Sequence, residues 1–156
     1  MKILYIVPDL YEKRPKPCMN GWGSIFITVA PDGAVLPCQS ARVLPNIPFP
    51  NVLEHDLDWI WYKSDAFNHF RGQSWMKEPC RSCPECFTDF GGGRCQAYLF
   101  TGDMHAADPV CDLTPHHQII VDLLEETQHM KPHISDLTFR NTKNSKLISL
   151  QVIRKS

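Results

Sequence analysis

Five of the seven cysteines lie between Cys80 and Cys111, and this clustering constrains the chain more than any other feature of its sequence. Cys80, Cys83 and Cys86 recur at every third residue, a spacing with which one tight turn can direct several sulfurs to one point. A run of three glycines follows at 91–93, and glycine permits the positive φ angles needed where a backbone curls closely around a bulky inorganic group. The cluster therefore indicates a site for iron or zinc.

Length and composition agree with an ordinary globular chain. Its 156 residues suffice for one domain or slightly more, and 43% of them are hydrophobic. No apolar run approaches the roughly 20 residues of a membrane-spanning helix, and the N-terminus lacks the features of a signal peptide. We therefore expect a cytoplasmic protein, in which clustered thiols bind metal more often than they form disulfides. An odd number of cysteines also argues against a framework made only of disulfides.

Charge is spread unevenly along the chain. Residues 131–156 carry +5 and the rest carries −6, for a net charge of −1. This basic C-terminal tail has neither interleaved aromatic residues nor a nucleic-acid motif, so we expect neither a nucleic-acid partner nor a membrane. Near its end, residues 146–153 have the pattern of an edge strand.

The clearest predicted element is a β-hairpin. Residues 24–30 are rich in β-branched and aromatic side chains, residues 31–33 read Pro-Asp-Gly, and residues 34–36 form the returning strand. Cys18 and Cys38 lie at its open end, so we expect them to be close in space. They could form a disulfide or half of a metal site, and the expected compartment favours the metal site.

Several short helices are predicted after the hairpin. Asp56 caps a helix whose buried face includes Leu57, and Asp65 caps a second one that ends at Gly72. A helical turn is expected at 96–100, a loop at 102–108, and a final helix with Thr114 at its N-cap and an apolar stripe along one face. Core positions are predicted for the aromatic residues Trp59, Trp61, Phe67, Phe70 and Trp75. The predicted fold class is α+β, a small loop-rich cluster-binding domain with a β-hairpin and several short helices.

The order of these features resembles the SPASM domain, an auxiliary iron–sulfur module of many radical S-adenosylmethionine (SAM) enzymes. The phrases RPKPCMNGWG, GAVLPC, SWMKEPCRSC, GGRCQAYLFTGD and DPVCDLTPHH are more narrowly similar to one of these enzymes, which cross-links a glutamate and a tyrosine of a precursor peptide in pyrroloquinoline quinone biosynthesis. The resemblance extends from about residue 7 to residue 124, and FRNTKNS near the end adds to it. It implies three parts: a strand and linker at 1–17 that end a missing barrel domain, a SPASM-like domain at 18–130, and the tail.

The resemblance also implies two sets of cluster ligands. One cluster would be held by Cys18, Cys38 and Cys95 together with a cysteine at position 93. The other would be held by Cys80, Cys83 and Cys111, with Asp89 as its fourth ligand. A carboxylate is a harder donor than a thiolate, so Asp89 would shift the potential of that cluster.

This chain departs from the implied pattern in two places. Position 93 is Gly93, and Cys86 is a cysteine that the family pattern does not contain. Cys86 could complete the first set, could replace Asp89 in the second, or could be a thiol without a ligand role. Together with Cys86 the chain still has eight candidate ligands, which is the number that two four-ligand clusters need.

Two clusters are therefore the expected cofactors, both [4Fe-4S] or one of them [2Fe-2S]. The sequence contains no CxxxCxxC triad, so this chain alone is not expected to cleave SAM, and SAM with its own cluster is expected only in the full-length enzyme. The expected partners are the precursor peptide, its peptide chaperone and a SAM-binding barrel on a separate chain. In that setting the domain would relay electrons and support the peptide site.

Two other functions remain open at this point. A structural zinc domain would use the CxxC at Cys80 and Cys83, but a zinc ribbon needs a second close pair, and Cys95 and Cys111 are too far apart to supply it. A cluster-free interaction domain, with Gly93 as a sign of lost ligands, is the third alternative.

Overall fold

Within residues 12–129, which the computed structural model describes, a two-stranded antiparallel hairpin is followed by five α-helices. The strands are Thr28–Val29 (β1) and Val35–Leu36 (β2), and Thr28 lies opposite Leu36. The helices are Leu57–Lys63 (α1), Asp65–Asn68 (α2), Cys86–Asp89 (α3), Arg94–Thr101 (α4) and Gln118–His129 (α5). Short 3₁₀ turns at Cys18–Asn20, Ala41–Val43 and Cys80–Ser82 and long loops make up much of the remainder. The predicted α+β, loop-rich fold class is confirmed.

The hairpin lies where the sequence predicts it, but its strands are shorter. Gly33 has φ +82° in the turn, and a Cβ there would lie 2.6 Å from Oδ1 of Asn51. The same Asn51 donates from Nδ2 to the carbonyl of Asp32 at 2.9 Å, so a segment beyond β2 supports the turn. Residues 24–27 are not part of β1, and Ile25 and Phe26 are exposed. A hairpin with strands this short is not stable alone. Backbone hydrogen bonds from the 50–52 segment stabilise β2 and the turn before it.

Helix α1 begins after Asp56, as predicted. The carboxylate of Asp56 accepts a hydrogen bond from the backbone N–H of Trp59 at 2.7 Å, which satisfies one of the free donors of the first turn. Ile60 is fully buried, whereas Leu57, predicted for the same face, is about half exposed.

Helix α2 differs from its prediction at both ends. Its N-cap is Ser64 rather than Asp65: the Ser64 backbone is extended, and its hydroxyl accepts from the N–H of Phe67 at 3.4 Å. Asp65 is the first residue of the helix. The helix ends at Asn68, four residues before the predicted end at Gly72.

The hydrophobic core lies between the hairpin and the first two helices. Phe67 and Phe70 are buried in it, as predicted, while the three tryptophans predicted for the core are partly buried against its edge. Cys38 and Cys95 pack against the same core, so two candidate ligands have a rigid support. The buried members that carry most of its volume are Trp22, Val35, Leu36, Leu44, Ile47, Ile60, Phe67 and Phe70.

The later helices also differ from prediction. Helix α4 is longer than the helical turn expected at 96–100, and residues 102–108 form the predicted loop. Helix α5 begins at Gln118 and not directly after Thr114. The hydroxyl of Thr114 accepts from the N–H of His116 at 3.3 Å and so closes a separate turn before the helix. Ile120 is fully buried on the predicted apolar stripe, and Glu125 is exposed.

Some predictions lie outside the described residues. These are the N-terminal strand at 2–7, the basic tail at 131–156 and the edge strand at 146–153. Among the helices of residues 12–129, none is long and apolar enough to cross a membrane.

Candidate metal centres

The structure divides the candidate ligands between two cavities. Cys18, Cys38, Gly93 and Cys95 line one of them, together with residues of the 16–19 segment and Asp108. Cys80, Cys83, Asp89 and Cys111 line the other. Within residues 12–129, which include all seven cysteines, no disulfide is formed. We refer to Cys18, Cys38 and Cys95 as the first thiol site and to Cys80, Cys83, Asp89 and Cys111 as the second thiol site.

Three separate elements supply the first thiol site. Cys18 begins the 3₁₀ turn that follows Pro17, Cys38 follows β2 by two residues, and Cys95 lies in the first turn of α4. The cavity that they line has about 1370 Å³ of empty space and opens to solvent. The expectation that the hairpin brings Cys18 near Cys38 therefore agrees with the structure, and α4 adds Cys95.

The thiols of Cys38 and Cys95 interact with each other, and the Cys95 thiol also donates to the carbonyl of Ser40 at 3.4 Å. The interaction with the Cys95 thiol lowers the pKa of Cys38 to about 6, and the backbone N–H groups of Ser40 and Ala41 act in the same direction. The same interaction raises the pKa of Cys95. At neutral pH the pair therefore contains one thiolate, which is the form that binds metal.

The second thiol site is formed by the loops around α3. The Cys80–Ser82 turn places Cys80, and the N–H of Cys83 bonds back to its carbonyl at 3.2 Å. Cys111 is buried and follows Asp108, whose carbonyl accepts from the Cys111 N–H at 3.0 Å. The cavity has about 290 Å³ of empty space, and Pro15, Pro79 and Leu113 form apolar parts of its wall.

Asp89 is well placed for a ligand role in this cavity. It is the last residue of α3 and is buried, and one carboxylate oxygen accepts from the N–H of Gly91 at 2.8 Å. A buried carboxylate requires a partner for its charge. Burial raises the pKa of the neighbouring Cys80 to about 11, although the positive charge of Arg94 opposes the shift. Metal must therefore displace a proton from Cys80 at neutral pH.

The glycine run separates the two thiol sites. Gly91 and Gly92 have φ angles of +74° and +76°, as the sequence predicts, and Phe90 before them is also left-handed. A Cβ on Gly92 would lie 2.5 Å from the side chain of Asp108, so the backbone approaches that carboxylate closely. Gly93 differs from the prediction: its φ is −80°, in the range of any residue.

Cys86 lies at neither thiol site. It is buried at the start of α3, and Nε2 of Gln73 donates to its sulfur at 2.6 Å. It lines a third cavity with Phe70 and Phe90, among others. This position favours a thiol without a ligand role over the two ligand roles that the sequence left open. Spacing carries no signal for this difference, since Cys86 has the same spacing as its two neighbours; the available signal is that the resemblance implies no cysteine at this position.

Two buried charged residues, Arg94 and Asp108, are not predicted from the sequence as parts of the site. The Asp108 carboxylate accepts from the N–H of Gly93 at 2.7 Å and from Nε2 of Gln96 at 2.9 Å, and burial raises its pKa. It lines the cavities of both thiol sites. The sequence does offer a weak signal for each: Arg94 lies between Gly93 and Cys95, and Asp108 lies three residues before Cys111.

The chemistry of these donors suits an iron–sulfur cluster. Within the described part of the chain, no three His, Cys, Asp or Glu side chains are arranged to hold a single metal ion. The donors instead line cavities, and a cluster takes its thiolates from around its perimeter. The backbone N–H groups of the glycine run bond to Asp89 and Asp108. The buried Arg94 lines a cavity beside Cys18 and Cys38, and its Nε has no hydrogen-bond partner among residues 12–129. Donors and charges of this kind near iron–sulfur sites set their potential.

Comparison with known families agrees with this chemistry. Residues 18–86 match the SPASM family, an iron–sulfur cluster-binding domain. The match includes Cys18, Cys38, Cys80, Cys83 and Cys86, and it ends before Asp89. The SPASM segment therefore covers the hairpin, α1, α2 and the first half of the second thiol site. Cys95 and Cys111 reach the same cavities from beyond it.

Proposed function

We propose that this chain is an auxiliary iron–sulfur domain of a radical SAM enzyme and holds two clusters, one at each thiol site. The observation that carries the proposal is the division of the candidate ligands between two cavities, three thiols in one and three thiols with Asp89 in the other. Both clusters are [4Fe-4S] in this proposal, with [2Fe-2S] as the alternative at one site.

The residues of the two sites differ in what they offer a cluster. The second thiol site offers four protein donors in a small cavity whose wall includes apolar side chains. The first thiol site offers three thiols in a wider cavity that opens to solvent. When bound, the clusters supply one-electron redox chemistry. The protein holds them, shields them from water and sets their potentials with buried charges.

We further propose that the enzyme is the one of pyrroloquinoline quinone biosynthesis that cross-links a glutamate and a tyrosine of a precursor peptide. The phrases RPKPCMNGWG and GGRCQAYLFTGD support this assignment. SAM cleavage would then need a CxxxCxxC triad from outside residues 1–156, on a separate barrel chain or on a further part of the enzyme. The precursor peptide and its chaperone are the proposed partners. Phe26, exposed and lining the first cavity, offers an apolar contact for a peptide.

Metal and sulfide analysis after anaerobic purification tests the proposal. About eight iron and eight sulfide per chain are expected for two [4Fe-4S] clusters. One or two zinc per chain without iron would support a structural zinc domain, and neither metal would support an interaction domain without clusters.

Three alanine variants test the assignment of ligands. Cys80→Ala and Cys111→Ala should each remove about half of the iron and of the visible absorbance, because each removes a donor from the second thiol site only. Cys86→Ala is the matched control and should keep the full iron content. Loss of both clusters in either ligand variant would argue against two separate sites.

A further inference from the structure

A buried arginine lies between the two thiol sites. Only 3% of the surface of Arg94 is exposed. Its side chain lines a cavity of about 320 Å³ that Cys18 and Cys38 of the first thiol site also line. On the other side, its Nη2 donates to the carbonyl of Gly91, whose backbone lines the cavity of the second thiol site. The guanidinium thus lies next to the lining of both sites, and its charge interacts with Cys18 of the first and with Cys80 and Asp89 of the second.

Backbone contacts fix this side chain in place. Nη1 donates to the carbonyls of Met104 at 3.1 Å and Ala106 at 2.8 Å, and the guanidinium carbon lies 4.5 Å from the ring centre of Trp75. Every acceptor that it reaches within residues 12–129 is a backbone carbonyl, and Nε is buried without a hydrogen-bond partner among those residues. No carboxylate is therefore paired directly with its charge in this part of the chain.

A buried cation without a directly bonded anion is costly unless negative charge lies nearby. The carboxylate that interacts most strongly with its charge is Asp108, which lines both cavities. Asp108 accepts its hydrogen bonds from the N–H groups of Gly93 and Val110 and from Nε2 of Gln96. An oxidised [4Fe-4S] cluster with four anionic ligands carries a charge of about −2, and reduction adds one more electron. A nearby cation stabilises the reduced form more than the oxidised form, because the attraction grows with the negative charge.

We propose that Arg94 is a shared positive charge that raises the reduction potentials of the clusters at both thiol sites. This inference rests on the proposed function, since it requires both clusters. It assigns to Arg94 a positioning and tuning role and not a ligand role. Because one side chain acts on both sites, a single substitution should shift both potentials in the same direction.

Redox titration with dithionite, followed by electron paramagnetic resonance, tests this role on the anaerobically purified chain. In Arg94→Gln, both clusters should become harder to reduce, by about tenfold in the equilibrium constant, or about 59 mV for a one-electron couple. Arg94→Lys keeps the charge and should restore most of the shift. Arg42→Gln is the control, because Arg42 is an exposed cation that pairs with Asp32 in the hairpin turn and lines none of these cavities.

Iron and sulfide content separates the two proposals. An unaltered chain that holds no clusters contradicts the proposed function itself. Clusters that are present at full content in Arg94→Gln with unchanged potentials contradict only the role of Arg94, and so does a shift at one site alone. Equal shifts in Arg94→Gln and Arg94→Lys would show that geometry rather than charge is responsible.

If Arg94→Gln loses its clusters, a second substitution still tests the proposal by removing a negative charge instead of a positive one. Asp108→Asn removes a negative charge that lines both cavities and keeps the shape of the side chain. With Arg94 then unopposed, both clusters should become easier to reduce. If the potentials in Asp108→Asn stay unchanged or fall, a shared electrostatic field at this point is excluded and the proposal fails.

Discussion

Gly93 lines the cavity of the first thiol site, at the position where the resemblance of the sequence implies a cysteine. Its φ of −80° suits any residue, and a Cβ would lie 3.3 Å from the Cβ of Gln96 and 3.5 Å from Oδ2 of Asp108. A side chain therefore fits after a shift of a few tenths of an ångström. Nothing in the backbone requires glycine here, in contrast to Gly92.

Gly93→Cys should consequently add a fourth thiolate to the first thiol site and raise the iron content that remains after exposure to a chelator. Iron and sulfide per chain, measured beside the unaltered protein, check the result. Gly93→Ala is the control for the added bulk, and it should leave the iron content unchanged. An unchanged content in Gly93→Cys would mean that another group already completes this site.

Thiol reactivity tests the difference in pKa between Cys38 of the first thiol site and Cys80 of the second. In protein freed of metal and kept reduced, Cys38 has a pKa of about 6 and is mostly thiolate at pH 7, whereas Cys80, at about 11, is almost entirely protonated. Iodoacetamide should therefore modify Cys38 roughly 10- to 100-fold faster at pH 7, after allowance for the lower nucleophilicity of the more acidic thiol. Peptide mass spectrometry over time gives both rates.

The pH dependence supplies the internal control. The rate at Cys38 should rise between about pH 5 and 7 and then level off, because deprotonation is complete above its pKa. The rate at Cys80 should still be rising at pH 10. Equal rates with the same pH profile would contradict the interaction between Cys38 and Cys95 as the source of acidity.

At the scale of elements, the glycine loop between α3 and α4 decides whether the two thiol sites form. Gly92 has a φ of +76°, and a Cβ would meet the Asp108 side chain at 2.5 Å and Pro15 at 2.8 Å. Gly72 has a similar φ of +69° but nothing within 4 Å of the same position. The two glycines therefore differ in packing and not in backbone strain.

Gly92→Ala should lose iron from both sites, because it displaces Asp108 and the loop that separates the cavities. Gly72→Ala should cost only the left-handed backbone strain, about 1 kcal/mol, with full iron content. Iron content and the thermal midpoint of both variants give the comparison. If both variants retain their iron, close packing at Gly92 is not needed for the clusters.

The elements that the sequence predicts correctly are those with a local signal. The Pro-Asp-Gly turn and the cap at Asp56 depend on residues within a few positions of each other, and both are confirmed. The sequence predicts the N-cap of α2 one residue late, at Asp65, because Ser64 and Asp65 are both favourable capping residues. Only the backbone conformation, which is extended at Ser64, distinguishes them.

The parts of the site that the sequence could not show depend on distant contacts. The position of Cys86 depends on the orientation of α3, which brings its thiol to Gln73. The position of Asp108 depends on a later segment that packs against the glycine run and contacts Gly93. Arg94 carries no motif of its own, so only its burial identifies it. Spacing predicts that thiols cluster, but it does not predict which thiols share a cavity.

At the scale of the whole molecule, stability should depend on the clusters. The hydrophobic core lies between the hairpin and α2, whereas the region from Cys80 to Cys111 is built from short helices and loops around buried polar groups. Asp89, Arg94 and Asp108 are all buried there. Cluster binding supplies the bonds and charges that offset this burial, so its binding energy contributes directly to folding.

Removal of iron with a chelator under oxidising conditions, followed by reduction of the thiols, should therefore lower the free energy of unfolding by several kcal/mol. For a domain of this size the thermal midpoint should fall by more than about 10 °C or the cooperative transition should disappear. Calorimetry with and without clusters measures the difference. Cys86→Ala with its clusters intact serves as the control, and because it truncates a buried side chain it should lower the midpoint by only about 5 °C. Iron-free protein that melts cooperatively at the original temperature would show that residues 12–129 fold by their hydrophobic core alone. The clusters would then make no contribution to the stability of the fold.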